Sequence, residues 1–263
     1  MAVPFAALPT AAEFGLILLL CGALSALAYY KSVLTWDGSV AAFAVGLLIG
    51  VLGDVTWLLL LLFFLLSSFV ATRYRFALKE ALGVQEGRKG ERRSANVLAN
   101  GIAPVAVAAF SFAGLGLPRD LSGLVYVSVL SVAGADTLAS EIGVLSPNAY
   151  LISNGQKVPP GTDGAISLLG TACALAAAVY TALFGWLVLG VLSPMANIEA
   201  TIPAGSFLIL VPAAVGFLGC QIDSVLGATL ERREIIGKRS VNLASTVVGG
   251  LIAYGAIVAL GAI

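Results

Sequence analysis

The stretch Val132–Gly143, VAGADTLASEIG, ends a long apolar run and carries two carboxylates, Asp136 and Glu141, with glycines on either side. It lies in a chain of 263 residues that is 59% hydrophobic and only 11% charged, with a mean hydropathy of +1.02. Because soluble domains carry about a quarter charged residues, this composition indicates an integral membrane protein. The formal net charge is zero. It gives no indication of a nucleic-acid partner, and none is expected.

Eight apolar segments approach the ~20 residues that a membrane helix needs. They lie near 14–31, 38–53, 55–76, 94–113, 121–135, 163–192, 205–229 and 241–262. The sequence therefore predicts an all-α, polytopic bundle of about eight transmembrane helices, forming a single membrane domain over residues 1–263. The fifth segment is short and the second barely long enough, which is typical of broken helices that line a site, here near the cytoplasmic face. The N-terminus lacks a positive region, so we expect a first span and no cleaved signal.

Basic residues predict the orientation of these segments. The loop 73–93, RYRFALKEALGVQEGRKGERR, is the most basic part of the chain, and it separates the third and fourth segments. If this loop is cytoplasmic, every lysine and arginine except Arg119 falls on the cytoplasmic side, as the positive-inside rule favours. The loop could also bind anionic lipid or substrate, but a solvated orientation signal is the simpler interpretation. The same topology places the polar motifs TWDG, SANVLANG, GADTLASEIG, PPGTDG, CQID and SVN on that side, which predicts one site facing the cytoplasm.

The motif KVPPGTDGAISLLGTA predicts a phosphate site. Two prolines and a glycine end a loop, and Thr162 or Asp163 can cap the helix that follows. Free N–H groups and the dipole at a helix start suit phosphate. Lys157 precedes this start, and Gly164, Ser167 and Thr171 would share one helical face. The alternative is an ordinary capped helix that packs through small residues.

Polar residues in three further segments are candidates for the same site. Asn96 and Asn100 lie four apart on one helical face, and Pro104 frees the carbonyl of Asn100. Asp223 follows a stripe of glycines, and Asn242 begins a polar stripe on the last segment. Ionisable groups within spans usually face a cavity, an ion or a partner. The alternatives are interhelical hydrogen bonds for the asparagines and an ion pair with an arginine for Asp223. Asp37 in TWDG is interpreted as a helix cap.

Asp136 and Glu141 would point about 140° apart on an unbroken helix. They converge only if the segment unwinds near Gly134; otherwise they serve different partners. Carboxylates opposite a phosphate-binding helix start indicate a hard cation such as Mg²⁺. The candidate ligands are Asp136, Glu141, Asp163 and Asp223. The chain contains no histidine, which removes the most common general base and zinc ligand.

At this point the motifs NVLANGIAP, ADTLASEIG, VPPGTDGAISLLGT and DSVLGATLE resemble those of the transmembrane protein 19 and phytyl-phosphate kinase family. The resemblance runs from about Thr35 to the C-terminus. It implies phosphorylation of an isoprenoid monophosphate to its diphosphate, with CTP as the donor. The order of Gly134, Asp136, Ala139, Gly143, Lys157, Gly164, Ser167 and Gly170 is also similar to that in CTP-dependent dolichol and phytol kinases. Ala135 and the two-proline loop depart from that pattern. The chain contains no GxxxxGK[ST] motif, so the sequence does not support an ATP-type P-loop.

The sequence analysis therefore predicts a membrane-embedded, Mg²⁺-dependent kinase that uses CTP to phosphorylate phytyl or geranylgeranyl phosphate. The carboxylates Asp136, Glu141, Asp163 and Asp223 would be catalytic through the metal. The donor phosphates would contact Lys157, Thr162, Gly164, Ser167 and Thr171, and the acceptor would contact Asn96, Asn100 and Asn242. An ionised phosphate nucleophile needs no strong base. The alternatives are a CTP-dependent cytidylyltransferase acting on a lipid phosphate, and a membrane transporter.

Overall fold

The computed structural model describes residues 8–87, 90–195 and 207–260. Within these ranges, seven helices are long and apolar enough to cross a membrane. These helices are α1 Ala11–Tyr30, α3 Val55–Arg73, α5 Ser94–Phe112, α6 Arg119–Gly143, α7 Leu168–Trp186, α9 Leu210–Leu226 and α10 Lys238–Ala259. α2, Trp36–Leu52, is a shorter apolar helix. The prediction of an all-α polytopic bundle is confirmed, and the chain is a multi-pass membrane protein.

The remaining helical elements are short. They are α4 Phe76–Ala81, α8 Ser193–Met195, a 3-10 turn at Phe207–Ile209, and π-helical turns at Leu187–Leu192 and Gly227–Glu231 that extend α7 and α9. The predicted basic residues Arg88 and Lys89 lie outside the described residues. So do residues 205–206 and 261–262 of the last two predicted segments.

α6 is the central helix of the bundle. Among the 18 most apolar consecutive residues of α6, 89% are buried, whereas among those of α1 only 11% are buried. α6 runs unbroken over 25 residues, so the prediction of a short fifth segment was wrong. Of the two alternatives for Asp136 and Glu141, the structure shows the one in which they have different partners. The helix continues because its polar residues are accommodated without a break: Ser128 donates to the carbonyl of Leu124 at 2.7 Å, and Glu141 finds partners on the neighbouring chain segments.

The connection between α6 and α7 folds into a small sheet that the sequence analysis did not predict. β1 Ala149–Leu151 pairs antiparallel with β2 Lys157–Val158 on one side and with β3 Ala165–Ile166 on the other. α7 therefore begins at Leu168, and Ser167 caps it by accepting from the N–H of Gly170 at 3.0 Å.

The prediction that Thr162 or Asp163 caps this helix was wrong. Residues 164–167 precede the helix, so Gly164, Ser167 and Thr171 do not share a helical face. The turn explains the difference: Thr162 donates its hydroxyl to the carbonyl of Pro159 at 2.7 Å, and Gly164 has φ +72°. Glycine adopts a positive φ more readily than other residues do, and a residue in this conformation is not part of a regular α-helix.

The helix termini place the polar motifs at one end of the bundle. α3, α6 and α9 end there, and α2, α5, α7 and α10 begin there. We call this the site end. At the site end, the carboxylate of Asp37 accepts a hydrogen bond from the N–H of Ser94 at 3.0 Å. It therefore caps the start of α5, whereas Thr35 caps α2. That the site end faces the cytoplasm stays a prediction.

Candidate functional site

A cavity of about 290 Å³ opens at the site end between α6, α7, α9 and the loop that precedes β3. We call it the carboxylate cavity. Residues 83–86 of the basic loop also line it, as do Glu231 and Lys238. Most of the predicted site residues meet in its wall: Asp136, Glu141, Thr162, Asp163, Gly164, Ser167, Thr171 and Asp223.

Asp136 on α6 and Asp223 on α9 form a pair of adjacent carboxyl groups in this cavity. Each has a further polar neighbour on α10. Asn242 donates its amide to Asp136 at 3.3 Å, and Ser245 donates its hydroxyl to Asp223 at 2.8 Å. Neither aspartate takes part in an ion pair within 4.0 Å among the described residues. Two adjacent carboxylates repel each other unless a proton or a cation lies between them, so this pair is suited to a cation.

Close helix packing one turn before the pair explains how the two carboxyl groups meet. Gly219 precedes Asp223 by four residues, and Val132 precedes Asp136 by four residues. A Cβ atom on Gly219 would lie 2.4 Å from a methyl group of Val132, which is closer than real contacts allow. Only glycine at 219 lets α9 approach α6 this closely, as small residues do in membrane bundles.

We expect Gly219→Ala to separate α6 from α9 and to lower both thermal stability and activity. Overpacking of this kind typically destabilises by about 1–3 kcal/mol. The measurement is the thermal midpoint in detergent, followed by the rate of the predicted phosphoryl transfer. Adding Val132→Ala removes the two clashing methyl groups, so the double variant should recover a large part of both losses. A Gly219→Ala protein with the stability and rate of the parent would contradict this account of the pair.

Glu141 has a different role from the other carboxylates. Its Oε2 atom accepts from Lys79 at 2.7 Å, and its Oε1 atom accepts from the hydroxyl of Thr72 at 2.8 Å. Lys79 is completely buried and also donates to the carbonyl oxygens of Ala71 and Thr72. Both oxygens of Glu141 are therefore occupied. These contacts hold α4 against α3 and α6, which gives Glu141 a structural role instead of the predicted role of a metal ligand.

The basic loop is more than a solvated signal. Lys79 of this loop is buried in the ion pair with Glu141, and Arg92 is half-buried and donates to the hydroxyl of Thr72 at 3.3 Å. Residues 83–86 line the carboxylate cavity. The loop thus folds over the site end and supplies part of the wall, which corrects the simpler interpretation from sequence.

The loop before α7 packs tightly against the end of α9. A Cβ atom on Gly164 would lie 2.1 Å from the backbone nitrogen of Ala228, so no larger residue fits. Ser167 ties the same loop to α6 by donating to the carbonyl of Gly143 at 3.2 Å. Asp163 is exposed at the mouth, within electrostatic range of Glu231 and Lys238.

Lys157 does not reach the carboxylate cavity. It is exposed on β2 and donates to Asn148 at 2.8 Å. The lysine that lines the cavity is Lys238, at the start of α10, where it lies within electrostatic range of Asp136, Asp163, Glu86 and Glu231. Sequence reasoning missed Lys238, although its place directly before the polar stripe of α10 is a signal that could have identified it.

The three predicted asparagines lie together in a second cavity of about 430 Å³, between the starts of α5 and α10. We call it the asparagine cavity. Asn96, Asn100 and Asn242 line it, and it shares Glu86 and Lys238 with the carboxylate cavity. Asn96 donates to Glu86 at 2.7 Å. The two cavities are therefore neighbours, joined through shared side chains and through the bond from Asn242 to Asp136.

Two buried oxygens at these cavities have no hydrogen-bond partner within the described part of the chain. They are Oδ1 of Asn100 in the asparagine cavity and Oε1 of Gln85 in the carboxylate cavity. A buried acceptor left unpaired is destabilising. Their position at the cavity walls suits a hydrogen-bonding ligand or water.

The residues of the carboxylate cavity fit Mg²⁺ that is bound together with the phosphates of a nucleotide. Within residues 8–87, 90–195 and 207–260, no three carboxylate or cysteine side chains form a ready-made metal cage. Mg²⁺ is usually held by one or two carboxylates together with phosphate oxygens and water. The pair Asp136 and Asp223 meets that requirement, with Asp163 at the mouth.

Known proteins are similar to this chain over most of its length. The model of a family described as integral membrane protein DUF92 matches residues 19–251. A membrane protein of Synechocystis is 34% identical over 237 residues, which is 89% of this chain and 86% of the relative. One of Methanocaldococcus jannaschii is 31% identical over 217 residues, 82% of each chain. The chloroplastic protein VTE6 of Arabidopsis thaliana is 31% identical over 231 residues, 84% of this chain and 64% of VTE6. No solved structure matches the chain significantly.

Proposed function

Since this chain belongs to the DUF92 family of integral membrane proteins, we propose that it is a membrane-embedded kinase that phosphorylates an isoprenoid monophosphate. The resemblance to the transmembrane protein 19 and phytyl-phosphate kinase family is confirmed by the family match and by VTE6. The proposed donor is CTP, as that resemblance implied, and the proposed product is the isoprenoid diphosphate.

The observation that carries the proposal is the pair Asp136 and Asp223, facing a cavity that adjoins a second, amide-lined cavity. Phosphoryl transfer between two phosphates needs two anionic ligands side by side, with charge neutralisation between them. The carboxylate cavity suits the donor and its Mg²⁺, and the asparagine cavity suits the phosphate of the acceptor. Lys238 lines both cavities, so its ammonium group can contact both phosphates.

The donor phosphates would lie against the loop that precedes α7. Thr162, Gly164, Ser167 and Thr171 line this side of the cavity. Gly164 keeps the backbone of this loop close to the end of α9. Asp136 and Asp223 would hold the Mg²⁺ that accompanies the donor, and its charge would offset that of the donor phosphates.

The acceptor needs positioning more than activation. An oxygen of its ionised phosphate attacks the γ-phosphorus of the donor, and a new P–O bond forms there. The bond from the γ-phosphorus to the bridging oxygen breaks, and the nucleoside diphosphate leaves. No proton has to be removed from the nucleophile, which agrees with a chain that contains no histidine. Asn96, Asn100 and Lys238 would orient the acceptor, and positioning would supply much of the rate.

The test uses purified protein in detergent with Mg²⁺, γ-labelled CTP and geranylgeranyl monophosphate. The expected result is label in a lipid diphosphate, formed together with CDP. A parallel reaction with γ-labelled ATP compares the two donors. Incorporation of cytidine into the lipid, with release of diphosphate, would replace the kinase by a cytidylyltransferase. Flux of the lipid phosphate across sealed vesicles without nucleotide, and without labelled product, would favour a transporter.

A further inference from the structure

An apolar cavity of about 470 Å³ lies between α1, α2 and α3, apart from the two cavities described above. We call it the apolar groove. Its α3 wall runs from Leu58 to Thr72, which corresponds to roughly 21 Å along the helix at 1.5 Å per residue. Its α1 wall runs from Cys21 to Lys31. The groove therefore extends from within the bundle to the site end.

At the end of the groove that is farther from the site end, the three helices approach one another. A Cβ atom on Gly46 of α2 would lie 3.1 Å from the sulfur of Cys21 on α1 and 3.7 Å from a methyl group of Leu58 on α3. Beyond this point the lining is formed largely by leucines, together with Phe69, Ala28 and Ala42. An apolar chain would bury its surface there at a gain of about 25 cal/mol per Å².

The open end of the groove is polar and positively charged. Lys31, Thr72 and Arg92 line it. Arg92 lies within electrostatic range of Asp136, and it donates to Thr72, whose hydroxyl in turn donates to Glu141 in the wall of the carboxylate cavity. A ligand with an apolar chain in the groove would therefore present its head group to two cationic side chains, of which Arg92 lies within electrostatic range of the proposed site of transfer.

We infer that the apolar groove holds the hydrocarbon chain of the acceptor, with its phosphate against Arg92 and Lys31. This inference rests on the proposed function, and it adds the binding site for the lipid chain. Arg92 lies within electrostatic range of Asp136, to which Asn242 of the asparagine cavity is hydrogen-bonded. Arg92 would therefore contact the acceptor phosphate from the side of the groove, while Asn96 and Asn100 contact it from the asparagine cavity. An arginine guanidinium binds phosphate through two parallel hydrogen bonds.

The shape of the groove favours one chain over two. It is long and bounded by three helices, so a single isoprenoid chain matches it. A bilayer phospholipid carries two acyl chains, which would both have to lie in the same groove. The positive charge at the mouth suits a monophosphate head group, and it disfavours a zwitterionic one.

Narrowing the groove should affect long acceptors only. Ser25 is half-buried in the groove, about 9 Å along the chain direction from Lys31, whereas Ala26 lies on the exposed face of the same helix. We expect Ser25→Phe to raise the KM for geranylgeranyl monophosphate about tenfold or more, while the KM for dimethylallyl monophosphate, whose chain ends before this position, is unchanged. Ala26→Phe should leave both values unchanged. Equal KM values for Ser25→Phe and the parent with the long acceptor would overturn the inference.

Removing the charge at the mouth should affect both acceptors, because both carry the phosphate. We expect Arg92→Gln to raise both KM values, whereas Arg93→Gln, at an exposed neighbouring position, should not. An unchanged KM for Arg92→Gln would overturn the assignment of the phosphate to this end of the groove.

A cross-linking experiment tests the groove without relying on kinase activity. The probe is geranylgeranyl monophosphate with a diazirine in its last isoprene unit, photolysed on the detergent-purified protein and mapped by mass spectrometry. Labels on α1 near Cys21 and on α3 near Leu58 would support the groove even if no phosphoryl transfer were found, which would then count against the proposed function alone. Labels elsewhere would overturn the groove. Full competition by dioleoyl phosphatidic acid at equal concentration would overturn the preference for a single chain.

Discussion

Replacing Asp136 with asparagine is expected to lower the rate of phosphoryl transfer by on the order of 10²–10³-fold, the effect of removing one preorganised electrostatic group from an active site. Asparagine keeps the size of the side chain but removes the charge that would hold Mg²⁺. Asp223→Asn should have a similar effect, because the two carboxyl groups act on the same cation. The measurement is kcat with γ-labelled donor at saturating Mg²⁺.

The stability of the same variant separates a loss of chemistry from a loss of folding. Removing one of two adjacent carboxylates relieves their repulsion, so the thermal midpoint of Asp136→Asn should not fall. Asp120→Asn is the matched control, since Asp120 lies in the first turn of α6 at the opposite end of the bundle, and its rate should equal that of the parent. An Asp136→Asn protein with the full catalytic rate would refute the assignment of the site.

Replacing Lys79 with methionine is expected to destabilise the protein by about 3–5 kcal/mol, the effect of breaking a buried ion pair. Methionine has a similar length but no charge, so Glu141 loses its cationic partner and keeps only the hydrogen bond from Thr72. The side chains of Lys79 and Glu141 are 0% and 9% exposed, so water screens the interaction little. The measurement is the shift of the thermal midpoint in detergent.

A double variant tests the cause of that loss. Adding Glu141→Gln to Lys79→Met removes the uncompensated charge and keeps an acceptor for Thr72, so much of the lost stability should return. Lys157→Met is the control at an exposed lysine, where substitutions usually change stability by less than about 0.5 kcal/mol. If the double variant is no more stable than Lys79→Met, the loss arises from packing and not from the unpaired carboxylate.

The locations of the spans could be predicted from the sequence because the bilayer acts on each segment separately. The length and hydropathy of a segment decide whether it can cross, and no knowledge of its neighbours is needed. The same reasoning predicted that the polar motifs gather at one end, since alternating spans bring every second connection to the same side. Asp136, Asp223 and the loop that contains Gly164 were found in this way, and the cavity brings them together.

Local sequence was less informative about where helices begin and break. GADTLASEIG looked like an interruption because glycines flank two carboxylates, yet α6 continues through it. The partners that stabilise Glu141 come from Thr72 and Lys79, more than 60 residues earlier in the chain. The start of α7 was also misplaced, because strand pairing with β1 holds residues 165–166 in an extended conformation.

The sequence by itself determined that this chain is an all-α membrane protein of the DUF92 family, with its polar motifs gathered at one end of the bundle. Hydropathy and motif identity are properties of short segments, so they can be recognised without knowledge of the fold. Only the tertiary structure decided which charged groups share a cavity. The fold places Asp136 beside Asp223 and pairs Glu141 with Lys79. It also places Lys238 in the cavity wall, where the sequence had predicted Lys157. Those choices depend on how closely helices approach, and a contact such as that between Gly219 and Val132 has no local signature in the sequence.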